Sequence, residues 1–483
     1  MKLLLTLVIF ASLAGCEVVG PDYKTPNFDL PDTYAWADES EMRPPAEPAS
    51  WWTQFDDETL NYLINTASLE NFDVRIALER ISQYRAQLGI ATSEIYPDIA
   101  ALASYSRTRT PQTDYSTLGV SAGGEPYNSY RVGVGGSWEV DLFGKIARTI
   151  QVSEGQLQAT VDDWRWANVT MRADVAAGYI TIRTLQSRMS VIDRSIQIER
   201  SVVDLLDIQL AQGITTQTLL LEARAKLAEA EATMPSLQIS LANEVAALAT
   251  LLGMTPELID EILTTSSGIP VPPSGVAVGV PADLLRRRPD VRAAERTLAA
   301  ATANIGVATA DLYPQLSLTG QFGFGASQFN EIFNWASHAY AVGPSLQWNF
   351  FNGGRVRSLI KRQESISHMA LLQYEETVIQ AINEVERTLV SFVLSSQQRD
   401  DLRRGATDAA NAFSLISQQY KQGVISRITL LNAEQQLLQV EDLLLQTQGL
   451  AAESLVNVYR SLGGGWSSHT QPDLPVNKDG LSI

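Results

Sequence analysis

YRVGVGGSWEVDLFGKIARTIQ occupies residues 130–151, and its two halves follow different periods. Tyr130, Val132, Val134, Trp138, Val140 and Leu142 share one parity, while Arg131, Gly133, Gly135, Ser137, Glu139 and Asp141 share the other. A period of two belongs to a strand, whose successive side chains point to opposite faces. After Gly144 the alternation stops, and no proline intervenes between Pro126 and Pro235. The pattern predicts a helix over 145–212. At ~1.5 Å per residue, roughly seventy helical residues reach about 100 Å, which exceeds a globular core.

The rest of the sequence narrows what such a strand and helix can belong to. The chain has 483 residues and a net charge of -18, with an isoelectric point near 4.7. That acidity argues against nucleic acid as a partner, because phosphate binding needs a basic surface. After residue 15 no uninterrupted apolar run is long enough for a spanning helix. If the protein enters a membrane, strands must carry it there. MKLLLTLVIFASLAGC combines Lys2, an apolar stretch from Leu3 to Leu13 and the box Leu13-Ala14-Gly15-Cys16. It reads as a signal peptide over 1–15 and resembles the bacterial lipobox, which implies a lipidated Cys16. Glu17 follows, which by the same resemblance implies outer-membrane delivery. Cys16 is the only cysteine, so a disulfide framework is excluded.

One unit is written twice. Asp73-Val74-Arg75, Gly89-Ile90-Ala91-Thr92 and Tyr96-Pro97 return 217 positions later as Asp290-Val291-Arg292, Gly306-Val307-Ala308-Thr309 and Tyr313-Pro314. Gly213, Leu220, Leu221, Ala223 and Leu252-Gly253 return 210 positions later as Gly423, Leu430, Leu431, Ala433 and Leu462-Gly463. The expected division is a lipidated extended segment over 16–59, a first repeat over 60–265 and a Pro/Gly-rich linker over 266–281. A second repeat follows over 282–464, then a tail over 465–483. Each repeat reads helix, strand, loop, strand, long helix, turn, helix. In the first repeat the helices are expected at 71–95, 145–212 and 217–252, and the strands at 98–108 and 129–142. In the second they are expected at 290–311, 354–422 and 426–462, with strands at 315–326 and 340–351.

The returning helices carry apolar heptads, Leu220, Leu227, Met234, Leu241, Leu248 and Leu430, Leu437, Leu444, Ala451, Val458. A spacing of seven marks a coiled-coil seam, and Pro235 within the first is expected to kink it. The second repeat's strands alternate as the first's do, with Leu316, Leu318, Phe322 and Phe324 opposite Ser317, Thr319 and Gln321. Alternation alone fits either a half-buried soluble sheet or a membrane barrel with a wet lumen. Strand number bears on the choice. Four such strands per chain cannot close, since barrels take about eight or more, and an open edge cannot face lipid. A barrel must therefore be pooled from several chains, eight strands from two or twelve from three.

LLRRRPDVRAAERTLAAATANIGVATADLYPQLSLTGQFGF (284–324), the repeat and the lipobox together resemble the TolC/OprM-like outer-membrane efflux channels, in their lipoprotein branch paired with RND-type drug pumps. The resemblance implies a mixed α/β membrane protein: a homotrimer with a twelve-stranded β-barrel in outer-membrane lipid, continued by a long periplasmic α-helical coiled-coil barrel. It also implies a periplasmic adaptor (membrane fusion) protein and an inner-membrane RND-type pump as partners, with no cofactor. Arg288-Pro289-Asp290 also reads as a plain helix start.

Gly213 and Gly423 stand where each long helix turns back, as C-caps of positive φ; by resemblance these turns form the tip that docks the adaptor. Ile428, Asn432 and Gln435 follow at i, i+4, i+7 on one helical face, and by resemblance the matching positions face the channel axis as a gate. Family members often carry Asp and Arg where Asn432 and Gln435 stand, and Glu222, the first-repeat counterpart of Asn432, could supply acidity. Ile428 also fits ordinary coiled-coil packing. Gly119-Val120-Ser121-Ala122-Gly123 matches a nucleophile elbow in letters only, because that motif needs a strand before it and a helix after it. His338, His368 and His469 are scattered, and none has a ligand-spaced partner. The expected function is a passive exit duct, not an enzyme. A type I secretion duct and a structural envelope lipoprotein are the alternatives.

Overall fold

The computed structural model describes residues 18–28, 30–31, 33–35, 48–109, 113–115, 120–122, 125–264, 268–273 and 287–466. The leader, Cys16, most of the linker and the tail beyond Trp466 lie outside the described residues. Helices are α1 (Glu58–Glu70), α2 (Phe72–Ser93), α3 (Lys145–Ala211), α4 (Gln217–Leu252), α5 (Pro256–Leu263), α6 (Pro289–Ala310), α7 (Arg355–Lys421) and α8 (Arg427–Ser461). Strands are β1 (Asp98–Thr108), β2 (Thr113–Tyr115), β3 (Val120–Ala122), β4 (Tyr127–Val140), β5 (Gln315–Ala326) and β6 (His338–Gln347). The chain forms two compact units. One comprises Met1–Pro26, Ser82–Ala159 and Ala294–Tyr374; the other comprises Asn27–Ile81, Thr160–Ala293 and Glu375–Ile483.

The first unit is built on an antiparallel sheet in the order β1-β4-β5-β6, with β2 and β3 pairing as a small hairpin between β1 and β4. Among the described residues its outer strands, β1 and β6, each have one unpaired edge. The register places Val134 between Ala101 and Phe322, and Phe322 opposite Tyr340. It places Gly135 between Ala100 and Gln321, and Gln321 opposite Ala341. The alternation therefore holds across all four strands, with an apolar, aromatic face and a small, polar one. Beyond β4, Gly144 adopts φ 76 and starts α3. Along α3, Val152 packs on Ala300 and Ala303 of α6. Residues 18–26 cross this helix pair, and Arg148, almost fully buried, donates to the Val19 and Gly20 carbonyls and to Asp22.

In the second unit the ends of the helices are set by local chemistry. Gly213 (φ 71) closes α3 with Ile214 N–H on the Gln209 carbonyl and its own N–H on Leu210. Gly423 (φ 77) closes α7 identically, through Val424 on Gln419 and its own N–H on Tyr420. This paired bonding is the Schellman arrangement, which needs a residue tolerant of the left-handed region. Thr216 and Ser426 then cap α4 and α8 by accepting from Leu219 and Thr429. The core between these helices joins Val191, Ile198, Val202 and Leu206 of α3 to Leu220, Leu431 and Leu438. The second heptad was expected on Leu430 and Leu437; Leu437 is buried, but the row in this core lies one position on, at Leu431 and Leu438.

Other boundaries differ from the sequence expectation for physical reasons. The expected first helix, 71–95, is α2, and a helix that was not expected, α1, precedes it. Asn71 ends α1 with its N–H on the Ala67 carbonyl and starts α2 by accepting from Val74. Its amide also donates to the Leu251 carbonyl. Helix α5 was not expected; Pro256 opens it at a position where the missing N–H costs nothing. Helix α4 runs unbroken through Pro235. Strand β4 ends at Val140 rather than 142, and β6 ends at Gln347 rather than 351.

Candidate functional site

The sheet supplies a wall of two characters. On one face, Val134, Phe322 and Tyr340 stand in a row and are exposed in the single chain. Burying this face in water-free surroundings is favourable, because apolar area gains about 25 cal/mol per Å² on leaving water. On the other face, Gly133, Gly135, Ser317, Thr319, Gln321 and Ser345 present little apolar area. Gly133 is required by close approach, since a Cβ there would stand 2.6 Å from the Phe322 carbonyl oxygen. Gly135 has room, its nearest neighbour being a Leu102 methyl at 3.6 Å.

The four residues singled out near the turns come together in the second unit. Glu222 of α4 and Ile428, Asn432 and Gln435 of α8 all line one groove of about 830 Å³, floored by α3. Their roles within it differ. Ile428 is half-buried and packs against the Val191–Leu438 core. Gln435 is bound to Ser195 of α3 in both senses, accepting at 3.1 Å and donating at 2.7 Å. Glu222 and Asn432 are exposed. Glu199 also lines this groove, and burial pushes its carboxyl above the usual range, opposed by Lys226. Gly213 and Gly423 lie beyond the groove, each followed by an exposed apolar residue, Ile214 and Val424.

Two charged features escaped the sequence. Arg188 of α3 forks onto Asp442 of α8, with bonds of 2.9 and 3.1 Å and both side chains largely buried. A bidentate pair fixes both distance and orientation. Arg288, 3% exposed, donates to both Asp290 oxygens, to Glu384 and to the Ser461 carbonyl, and lies over the Trp166 ring. Arg288-Pro289-Asp290 is thus more than a helix start; it is the junction of α6 with α7 and α8. Apart from Asp290, the partners in both features are far apart in sequence, so no local spacing announces them. Among the described residues no group of His, Cys, Asp or Glu could hold a metal ion.

A sheet with one apolar and one polar face, open at both edges and followed by helices of 67 residues, defines a subunit of a channel that crosses a membrane on strands. The sequence profile of the outer membrane efflux protein family matches residues 63–254 and 280–464. The chain belongs to this family. It is 31% identical over 461 residues to the solvent efflux pump outer membrane protein SrpC of Pseudomonas putida, covering 94% of this chain and 96% of that protein. It is 28% identical over 464 residues to the pyoverdine export outer membrane protein OpmQ of Pseudomonas putida, covering 96% and 97%. Among solved structures, the outer-membrane channel OprN superposes with a TM-score of 0.82 at 31% identity, covering 93% of this chain and 99% of that one. The open-state outer membrane channel MtrE of Neisseria gonorrhoeae gives 0.77 at 27% identity, covering 93% and 98%. The chain is accordingly the outer-membrane component of an efflux pump, a homotrimer that works with a periplasmic adaptor and an inner-membrane pump. Its strands lie in the outer membrane and its long helices in the periplasm.

Proposed function

We propose that the trimer is a passive exit duct for small organic molecules, with no enzymatic activity of its own. The observation that carries this reading is the two-faced sheet. Its face rich in glycine, serine, threonine and glutamine suits a water-filled lumen, and its apolar face suits lipid. The similarity to solvent and pyoverdine export components favours organic cargo. The domain division stated above stands within this reading, as does lipidation of Cys16. Gly213 and Gly423 shape the tip that meets the adaptor, and their exposed neighbours Ile214 and Val424 offer it apolar contacts. Ile428, Asn432, Gln435 and Glu222 narrow the duct near that tip. Their shared groove supports this, and the Gln435–Ser195 bonds make Gln435 a brace between α3 and α8.

Planar-bilayer recording of the purified protein tests the duct. Discrete conductance steps are expected; a trimer that inserts without conducting refutes the proposal. Mass spectrometry of the mature protein is expected to show acylated Cys16 as its first residue, and an unmodified N-terminus elsewhere refutes lipidation.

A further inference from the structure

The two repeats close their strand pairs with loops of opposite character. Residues 109–126, between β1 and β4, read RTPQTDYSTLGVSAGGEP and hold one aromatic residue, Tyr115. Residues 327–337, between β5 and β6, read SQFNEIFNWAS and hold Phe329, Ile332, Phe333 and Trp335. Both loops stand at the strand ends remote from the periplasmic helices, on the outer side of the membrane. A loop that only bridges two strands in water gains nothing from large apolar side chains, because apolar area is unfavourable there.

The second loop holds its own shape. Short helical turns cover Phe329–Glu331 and Trp335–Ser337. The Asn334 side chain accepts from the Ala336 N–H at 3.1 Å, and its backbone N–H donates to the Glu331 carbonyl at 3.0 Å. The Ser337 hydroxyl donates to the same carbonyl at 2.9 Å. Ile332 is 4% exposed, whereas Phe329, Phe333 and Trp335 are 67%, 75% and 69% exposed. Hydrogen bonds and one buried isoleucine thus fix the backbone, and three aromatic rings are left outside.

Their neighbours show which way the loop folds. Phe329 lies edge-on to Tyr130 at 5.7 Å, Trp335 lies edge-on to Phe324 at 6.4 Å, and Trp335 stacks on His338 at 4.6 Å. All three neighbours belong to the apolar face. Tyr130 shares the parity of Val134, Phe324 shares that of Phe322, and His338 stands opposite Phe324. The loop therefore folds back over the lipid-facing side of the sheet and away from the polar side. Its depth agrees. Tyr130 and Trp138 lie eight residues apart, which at ~3.3 Å each and a tilt of about 40° is roughly 20 Å along the membrane normal. Rings just beyond Tyr130 then fall at the outer boundary of an apolar band about 25 Å tall.

We infer that residues 327–337 are an anchor seated in the outer leaflet, with Phe329, Phe333 and Trp335 where lipid headgroups meet acyl chains. The inference rests on the reading that the apolar face of the sheet meets lipid. It extends that surface to an outer loop and assigns the anchor to the second repeat, since the first repeat's loop lacks the aromatic residues for it. Aromatic rings suit this boundary: their bodies are apolar, and the Trp335 indole adds a polar N–H. Three such anchors around the trimer hold the barrel at one depth and keep these rings off the duct.

Site-specific fluorescence tests this in the full-length trimer reconstituted in phosphatidylcholine vesicles. A thiol-reactive fluorophore is attached after Phe333→Cys or, as a second site, Phe329→Cys. Both side chains are mostly exposed, so the exchange leaves the loop's hydrogen bonds in place. Val134→Cys and Gly135→Cys serve as references for lipid and duct, and parent protein treated with the fluorophore corrects for Cys16. The two loop labels are expected to lose emission when the lipid chains are brominated near the headgroup, and to lose less to aqueous iodide than the Gly135→Cys label does. Loop labels quenched by iodide and untouched by bromine place the loop in water or over the mouth, which overturns the anchor. Loop labels shielded from both quenchers are covered by a neighbouring copy, which overturns it equally. In either case a Val134→Cys label quenched by lipid brominated deeper in the chain leaves the channel reading standing. A Val134→Cys label quenched by iodide alone overturns both.

Discussion

Replacing Val134 and its neighbour Gly135 by arginine, one at a time, puts the same charge on opposite faces of one strand position. Val134 is the eighth of the fourteen residues of β4. At ~3.3 Å per residue and a tilt of about 40°, the strand rises roughly 35 Å along the membrane normal, so Val134 sits near the midplane. Its side chain is 49% exposed and shares a row with Ala101 and Phe322. An arginine there should cost about 2–4 kcal/mol per chain if the face meets lipid. Three copies multiply that to about 6–12 kcal/mol per trimer. Gly135 differs. A Cβ at that position meets ordinary contacts of 3.6 Å or more, so a side chain can leave the polar face without displacing backbone, and its guanidinium stays in water. Gly135→Arg should therefore unfold within about 1 kcal/mol of the parent but conduct cations less well, with three new charges in the lumen. Denaturant unfolding in lipid vesicles measures the first quantity and single-channel recording the second. Equal destabilisation by both variants would refute the reasoning, because it would mean that neither face is in lipid.

Ile428→Ser separates packing from gating: a gate residue raises resting conductance with little change in melting, whereas a packing residue lowers the melting temperature and leaves the closed conductance alone. Arg288→Ala strands Asp290 and Glu384 beside a buried site and should destabilise by about 3–5 kcal/mol, read by denaturation in detergent. Arg288→Lys should recover only part of this, since an ammonium cannot fork onto both Asp290 oxygens or stack on Trp166. Glu453 carries a pKa raised by burial and by Glu244, so the fold disfavours its ionised form. Its contribution to stability therefore grows as pH falls through that raised pKa, and Glu453→Gln should melt above the parent at pH 8, with the gap closing on acidification.

What the sequence made legible follows from how each feature is encoded. The long helices and the strands were visible because period and proline-free length are local properties, and β1 and β5 appear with the bounds expected. The helix start at Asn71 was legible, whereas α1 before it was not, because the blocks that recur in the second repeat begin only at Asp73. Arg188–Asp442 and the Arg288 junction join residues brought together only by packing. Gln435 was legible as a face position but not as a partner of Ser195, for the same reason. The end of β6 is the opposite case. The alternation to 351 is legible locally, but the ladder stops at Gln347 because its partner β5 begins at Gln315.

The two repeats keep some features and diverge in others, and the difference has a physical logic. Gly213 and Gly423, Gly253 and Gly463, and Gly144 and Gly354 all hold positive φ, which glycine adopts at the least steric cost. A Cβ at Gly213 or Gly423 would meet nothing within 4 Å, so these two are kept for backbone conformation and not for space. Just beyond the turns the helix faces are under no such constraint. Thr218, Glu222 and Ala225 of the first repeat stand where the second has Ile428, Asn432 and Gln435. In a trimer the turns thus alternate around a ring with one backbone shape and two chemistries. Glu222 and Asn432 are free to face water, while Ile428 and Gln435 hold α8 to the core and to Ser195 of α3. Helix α8 is tied to α3 by a packed apolar contact, two hydrogen bonds to Ser195 and the largely buried Arg188–Asp442 fork, whereas the α3–α4 ion pairs, Arg200–Glu231 and Arg224–Asp207, are exposed and contribute less. Under the proposed gate, the resistance to opening is expected at the buried α3–α8 contact of each chain.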